Sequence, residues 1–214
     1  MLNKISVPKS IVLIIILSII LNILRVVLFG KFSFIYILWN IFLAIVPFLI
    51  SSTLLFLKEK GKLNNIFFII GGIIWVLFLP NAPYIVTDLI HIGVVRSVPV
   101  LYDSVLLFTS AWAGLLLGMN SIFHIEKILL SICSKKITSL IIAAVLLLTS
   151  FGMYLGRFFR FNSWDVFINP LSSSDKLFRN LSSSTYHIDA LIYILLFFLF
   201  IYISYYSWKS SKKE

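Results

Sequence analysis

Charge is what this sequence has least of. Only 8 of its 214 residues are acidic and 12% are charged, against 60% hydrophobic and a mean hydropathy of +1.06. A soluble domain carries roughly a quarter charged residues, so this inventory cannot cover a water-facing surface. A single cysteine, Cys133, excludes an internal disulfide and says little about compartment. Glycine-rich phosphate loops, CxxC pairs and dinucleotide fingerprints are absent, which removes the common nucleotide and redox signatures. No serine stands in a setting that would support a catalytic triad.

What is present comes in long apolar blocks. They predict an all-α integral membrane protein, a single domain over residues 1–214 with six spans at about 10–29, 33–57, 63–80, 102–124, 137–158 and 188–207. Each is near the ~20 residues that cross about 30 Å of hydrocarbon. Lys4 and Lys9 precede the first span as in a signal peptide. No small-residue cleavage site follows and Arg25 interrupts the run, so a retained helix is expected. Between the serine triplets Ser172–Ser174 and Ser182–Ser184 either a short interfacial helix or a flexible loop can form, the loop being the simpler reading.

Six spans place both termini on one side, and the charges then sort by type. The terminal side receives 11 lysines and the opposite side 7 cations. The positive-inside rule therefore makes the termini cytoplasmic. All arginines (Arg25, Arg96, Arg157, Arg160 and Arg179) fall on the outer side, as do Asp88, Asp103, Asp165, Asp175 and Asp189; Glu59, Glu126 and Glu214 lie inside. Solvated inner lysines suit anionic lipid, whereas arginines with short carboxylates suit fixed, bidentate geometry. The net charge of +10 thus reflects topology and not nucleic-acid binding.

The stretch "WVLFLPNAPYIVTDLIH", Trp75 to His91, leaves the third span at two prolines. Asn81 is placed to cap a new helix and Pro83 suits its first turn. On an α-helix Tyr84, Thr87, Asp88 and His91 would form one stripe at i, i+3, i+4 and i+7, opposite Ile85, Val86, Leu89 and Ile90. That stripe either faces water on an interfacial helix or lines a pocket. Tyr84 and Thr87 are poor solubilisers, and broken helices at membrane depth are tolerated only against protein or a water-filled cavity, so a pocket is the expectation.

Two further clusters could meet it. "LYDS" sets Tyr102 and Asp103 at the start of span four, and "YLGRFFRFNSWD" sets Tyr154, Arg157, Arg160, Asn162, Trp164 and Asp165 at and beyond the end of span five. Gly152 and Gly156 would let a neighbouring helix come close. Asp88, Asp103 and Asp165 balance Arg96, Arg157 and Arg160, a set that can be a functional site or an ion-pair network tying span ends together. The bland expectations elsewhere are an interhelical hydrogen bond for Asn40, packing for Gly71–Gly72, and water-exposed interface positions for His124 and the His187–Asp189 pair.

"LPNAPYIVTDLIH", "YD" and "YLGRFFRFNSWD", in that order, resemble the signatures of the domain-of-unknown-function 1361 family of bacterial multi-pass membrane proteins, over about Trp75 to Asp165. Leu101 and Phe161 stand where the family often has tryptophan. The resemblance implies a bacterial membrane location and brings no activity with it.

Three functions fit these residues. The first is a metal-assisted hydrolase or transferase on a lipid or anionic head group. Asp88, His91 and Asp103, with Asp165, would act as catalytic groups and ligands of a divalent ion such as zinc or manganese. Arg157, Arg160, Asn81 and Tyr84 would hold the anion, supported by Thr87, Tyr102, Asn162 and Trp164. The second is a binding or transport subunit using the same arginines. The third is a non-catalytic envelope assembly factor in which the outer charges are structural. The lipid bilayer is the partner common to all three, and the protein partners are not specified by the sequence.

Overall fold

The structure is a computed structural model that describes residues 8–94, 97–160 and 187–212. It is helical throughout, with no strand among the described residues. Six stretches are long and apolar enough to cross a membrane: Lys9–Phe29, Tyr36–Glu59, Asn65–His91, Val100–Leu130, Lys135–Phe159 and Ile188–Ser211. The six predicted spans are therefore found, with two revisions. The third continues through its prolines to His91 instead of ending at residue 80, and the fourth runs on to Leu130. The helices are α1 (Lys9–Phe29), α2 (Tyr36–Glu59), α3 (Asn65–Phe78), the short α4 (Asn81–Tyr84), a 3-10 segment (Ile85–His91), α5 (Val100–Leu130), α6 (Lys135–Phe159) and α7 (His187–Ser211).

Contacts divide the chain into two compact units, Met1–Thr138 and Ser139–Glu214. In the first, α5 is the central helix and packs against α1, α2, α4 and the 3-10 segment. Leu106, Leu107 and Leu117 of α5 are buried with Ile11 of α1 and with Ile37, Ile41, Ala44 and Phe48 of α2. Lipid tails are as apolar as these side chains, so burial alone does not hold such helices together; close packing and interhelical hydrogen bonds do. The unit is supplied with both. Ser18 of α1 meets Ser110 of α5 at 2.6 Å, and the indole N–H of Trp75 donates to Ser121 Oγ at 2.6 Å. Ser121 in turn donates to the carbonyl of Pro47 at 2.9 Å, so one relay ties α3, α5 and α2 at mid-span.

The helix ends follow from local sequence. Gly30, at φ 62°, closes α1 in the left-handed conformation, its N–H returning to Val26 O at 2.9 Å. Asn64 caps α3 by accepting from the N–H of Phe67 at 2.7 Å. At the ends where α2 and α5 finish, Lys60 lies over the Phe56 ring and Lys127 over the Phe123 ring.

In the second unit, α6 buries Ile142, Val145, Leu146, Thr149 and Met153, a stripe at helical spacing. Tyr154 and Phe158 of α6 pack on Tyr193 of α7, at ring separations of 5.8 and 5.2 Å. Aromatic side chains continue along α7 through Phe197, Tyr202 and Tyr206.

Candidate functional site

The third span breaks because Pro80 and Pro83 cannot donate backbone hydrogen bonds. Pro83 leaves Leu79 O without its helical donor, and that carbonyl accepts from Ala82 N at 3.1 Å; Phe78 O, which Ala82 N would serve in a continuous helix, accepts from the side-chain amide of Asn81 at 2.9 Å. Asn81 therefore closes the outgoing helix; the expected role as cap of the incoming one is not what it does. The break is seated on α5. A Cβ on Gly114 would lie 2.3 Å from the carbonyl oxygen of Ala82, and one on Gly118 would lie 3.3 Å from the Ala82 methyl. The Gly114–Leu–Leu–Leu–Gly118 pattern is the small-residue spacing that lets helices approach closely, and it admits the backbone of the broken segment.

Beyond the break the backbone tightens to a 3-10 helix, with 3.0 residues per turn instead of 3.6. The change redistributes the expected stripe. Ile85, Asp88 and His91 now align, with Ile85 and Asp88 buried and His91 half-buried. Ile85, placed by α-helical spacing on the face opposite Asp88 and His91, is fully buried. Thr87 is also buried and turns its hydroxyl back to Tyr84 O at 2.8 Å, while Tyr84 is half-buried. Asp88 Oδ2 accepts from the Asn40 amide of α2 at 3.0 Å, so Asn40 makes the interhelical hydrogen bond expected of it. The ring of Tyr36, also on α2, meets the His91 ring edge-on at 6.4 Å.

Asp103 sits in different surroundings. Its carboxylate accepts from Arg25 Nε at 2.7 Å and from Nη2 at 3.2 Å, a bidentate pair that is buried on both sides. Arg25 also donates to Lys31 O at 3.0 Å and lies 4.2 Å above the Phe34 ring. Tyr102, beside Asp103, donates to Leu21 O at 2.7 Å and packs edge-on against Phe29. The sequence balanced Asp103 against Arg96, Arg157 and Arg160. Its bidentate partner is Arg25, which the sequence counts among the outer arginines and as an interruption of the first span but does not match to a carboxylate. The Arg25–Asp103 pair locks the end of α1 to the start of α5.

The first unit thus brings Arg25, Asn40, Asp88, His91 and Asp103 to the end where α1 finishes and α5 begins. Among the described residues, no three histidines, cysteines, aspartates or glutamates gather as a metal ion would require. Arg157, half-buried, and Arg160, exposed with φ 51°, belong to the second unit. Arg96, Asn162, Trp164, Asp165 and the serine-rich stretch lie outside the described residues, as does the His187 side chain.

One inner-side expectation changes. His124 is half-buried, with Nδ1 3.3 Å from Ser51 Oγ and 3.2 Å from Ser52 Oγ, and its ring packs on Phe48 at 5.4 Å. Glu126 is buried, at 3% exposure. Of the glycine pair in α3, Gly71 packs on Leu54 as expected, whereas Gly72 faces open space. The sequence signals that could have exposed the missed residues were an arginine inside an apolar run, which demands a named partner, and the small-residue spacing at Gly114 and Gly118.

No curated protein and no solved structure matches the chain. The family model described as protein of unknown function DUF1361 matches residues 39–204, which covers the break, Asp88, His91, the α5 glycines and Asp103. With that match over most of its length, the chain belongs to the DUF1361 family, and its described residues include six helices of membrane-spanning length and hydropathy, which fit a membrane protein.

Proposed function

We propose that this protein binds the polar head group of a membrane lipid at the broken third span, His91 meeting the head group and Asp88 anchoring the segment that carries it. The observation that supports this reading is the seating of an irregular backbone against Gly114 of α5, with Asp88 fastened to Asn40 of α2. Backbone of this kind at membrane depth persists where protein or a wet cavity backs it. An imidazole N–H can donate to the oxygens of a phosphodiester. Asp103 drops out of the binding set because both its oxygens are held by Arg25. Within the second unit, Arg157 and Arg160 are the side chains suited to an anion. The lysine distribution supports cytoplasmic termini and a site on the extracytoplasmic side of the cell membrane.

The test is the melting temperature of the purified protein in detergent micelles doped with phosphatidylglycerol or with phosphatidylcholine. Wild type should gain stability from phosphatidylglycerol, and His91→Gln should lose that gain while keeping the lipid-free value. An unchanged gain in that variant would sink the reading.

A metal-assisted hydrolase or transferase using Asp88 and His91 is favoured by one observation: the 3-10 turn aligns Asp88 and His91 on one face. Stoichiometric zinc or manganese in the purified protein, lost in Asp88→Ala, would put that reading first.

A further inference from the structure

The 3-10 segment and α5 leave between them a groove of about 410 Å³, lined by Leu89, Ile92, Ser104, Val105, Phe108 and Thr109. Leu89 and Ile92 directly follow Asp88 and His91, and Ser104 directly follows Asp103. The groove therefore begins at the polar end of the unit. Its walls are apolar in practice, since Ser104 turns its hydroxyl onto Val100 O at 2.8 Å. On the same helix Leu106 and Leu107 are fully buried, whereas Val105 and Phe108 are 48% and 61% exposed. That exposed face belongs to a helix apolar enough to cross the membrane, so the groove opens toward lipid.

We infer that this groove holds one acyl chain of a phospholipid whose head group lies at His91, an inference that rests on the head-group reading and names the ligand class. A groove left empty would forfeit the dispersion contacts of its walls, and at hydrocarbon depth a lipid tail is the medium at hand. Its volume falls in the range of small-ligand sites, roughly 300–1,000 Å³. A helix is a poorer occupant: two turns of a cylinder 10 Å across displace roughly 850 Å³. The position of Leu89 and Ile92, next in sequence to the two polar residues, gives one molecule a polar and an apolar contact on the 3-10 segment and the residue that caps it.

Two measurements test this. In the first, mass spectrometry of the intact protein released from micelles counts retained phosphatidylglycerol in wild type, in Ser104→Leu/Val105→Phe, which fills the groove, and in His91→Gln. Wild type should retain one lipid, and the filled variant should lose retention by about tenfold. His91→Gln should retain lipid but lose the preference for phosphatidylglycerol over phosphatidylcholine. Undiminished retention in the filled variant overturns the inference, as does a dimer that filling the groove dissociates, which would make a second copy the occupant. Loss of retention on filling, with the preference intact in His91→Gln, overturns the head-group reading and leaves the acyl-chain site standing. The second measurement needs no filled variant. Trp112, 43% exposed, stacks one turn along from Phe108 at 6.4 Å. Phosphatidylglycerol with brominated chains should quench the fluorescence that Trp112→Phe removes, and should saturate at one lipid per protein. Quenching that rises linearly with lipid, without saturation, overturns the site.

Discussion

Asp103 and Asp88 are buried carboxylates at the same end of the first unit, at 0% and 2% exposure, and they are held by different chemistry. Asp103 receives two hydrogen bonds from one guanidinium, itself fixed by the Lys31 carbonyl and the Phe34 ring. Asp88 has among its partners the neutral amide of Asn40, and it lies on a 3-10 turn whose next aligned residue is the half-buried His91. A bidentate pair sealed on both sides leaves a carboxylate no room for a ligand, and its consequence is mechanical: α1 is locked to α5. A carboxylate on a broken segment sets where that segment sits, and with it the side chains that reach the surface. The difference separates a residue that builds the bundle from one that, in the proposed function, positions a site.

The largest effect should come from Asp103→Asn. It leaves Arg25 buried without its countercharge, and removing one partner of a buried pair costs about 3–5 kcal/mol. Equilibrium unfolding in mixed micelles should show that loss, and Arg25→Met/Asp103→Leu should recover most of it, since no charge is then stranded. A double variant as unstable as the single one would mean that the pair contributes more than a clamp. Alanine at Lys135 or Lys212, both on exposed positions, should leave the unfolding midpoint unchanged.

Asp88→Asn should cost less, about 1.5–3 kcal/mol, the range for hydrogen bonds to a charged group. The informative readout is its ratio to the lipid effect. If Asp88 positions the segment, the stabilisation by phosphatidylglycerol should fall together with that of His91→Gln, whereas Asp103→Asn should lower the baseline and keep the lipid increment. Equal loss of the increment in both aspartate variants would erase the distinction drawn between them.

Part of this was legible from residue order alone, and the missing part has physical causes. Six spans follow from block hydropathy, and the break at Pro80 and Pro83 follows from the lost donors. The segment beyond it was expected to be α-helical, and the tighter 3-10 turn moved Ile85 inward beside Asp88. A periodicity argument cannot detect that change, because both helices are built from the same residues. The Arg25–Asp103 pair joins positions 78 apart, and nothing local ties them. An arginine four residues before the end of an apolar helix does announce that a partner exists, without saying which. His124 was expected in water because it stands beside Glu126 and Lys127 in sequence. The two serines that receive it lie on α2, more than 70 positions away.

Gly114→Ala should act on the Asp88 side of the comparison alone. Its methyl would meet the Ala82 carbonyl at 2.3 Å, a backbone atom that cannot swing aside. Overpacking of this kind costs typically about 1–3 kcal/mol. Gly118→Ala faces a methyl at 3.3 Å and should cost less. Combined with Asp103→Asn the Gly114 loss should add, because the two contacts share no partner; combined with Asp88→Asn it should fall short of additive, because both displace the same segment. Additivity in both combinations would uncouple the break from Asp88.

The smallest effect belongs to the mid-span relay, and it serves as the reference for both ends. Trp75→Phe keeps most of the ring in place but removes the N–H that reaches Ser121 at 2.6 Å. Hydrogen bonds between membrane helices average about 0.6 kcal/mol, because the separated helices find other partners. Ser121→Ala removes the same bond and also the one to Pro47 O, so it should cost somewhat more. Neither change touches a charge or the broken segment, so neither should alter the phosphatidylglycerol increment. If Trp75→Phe abolished that increment, the third span would transmit strain from its middle to His91. The site would then depend on the whole span, and the local contrast between Asp103 and Asp88 would no longer account for it.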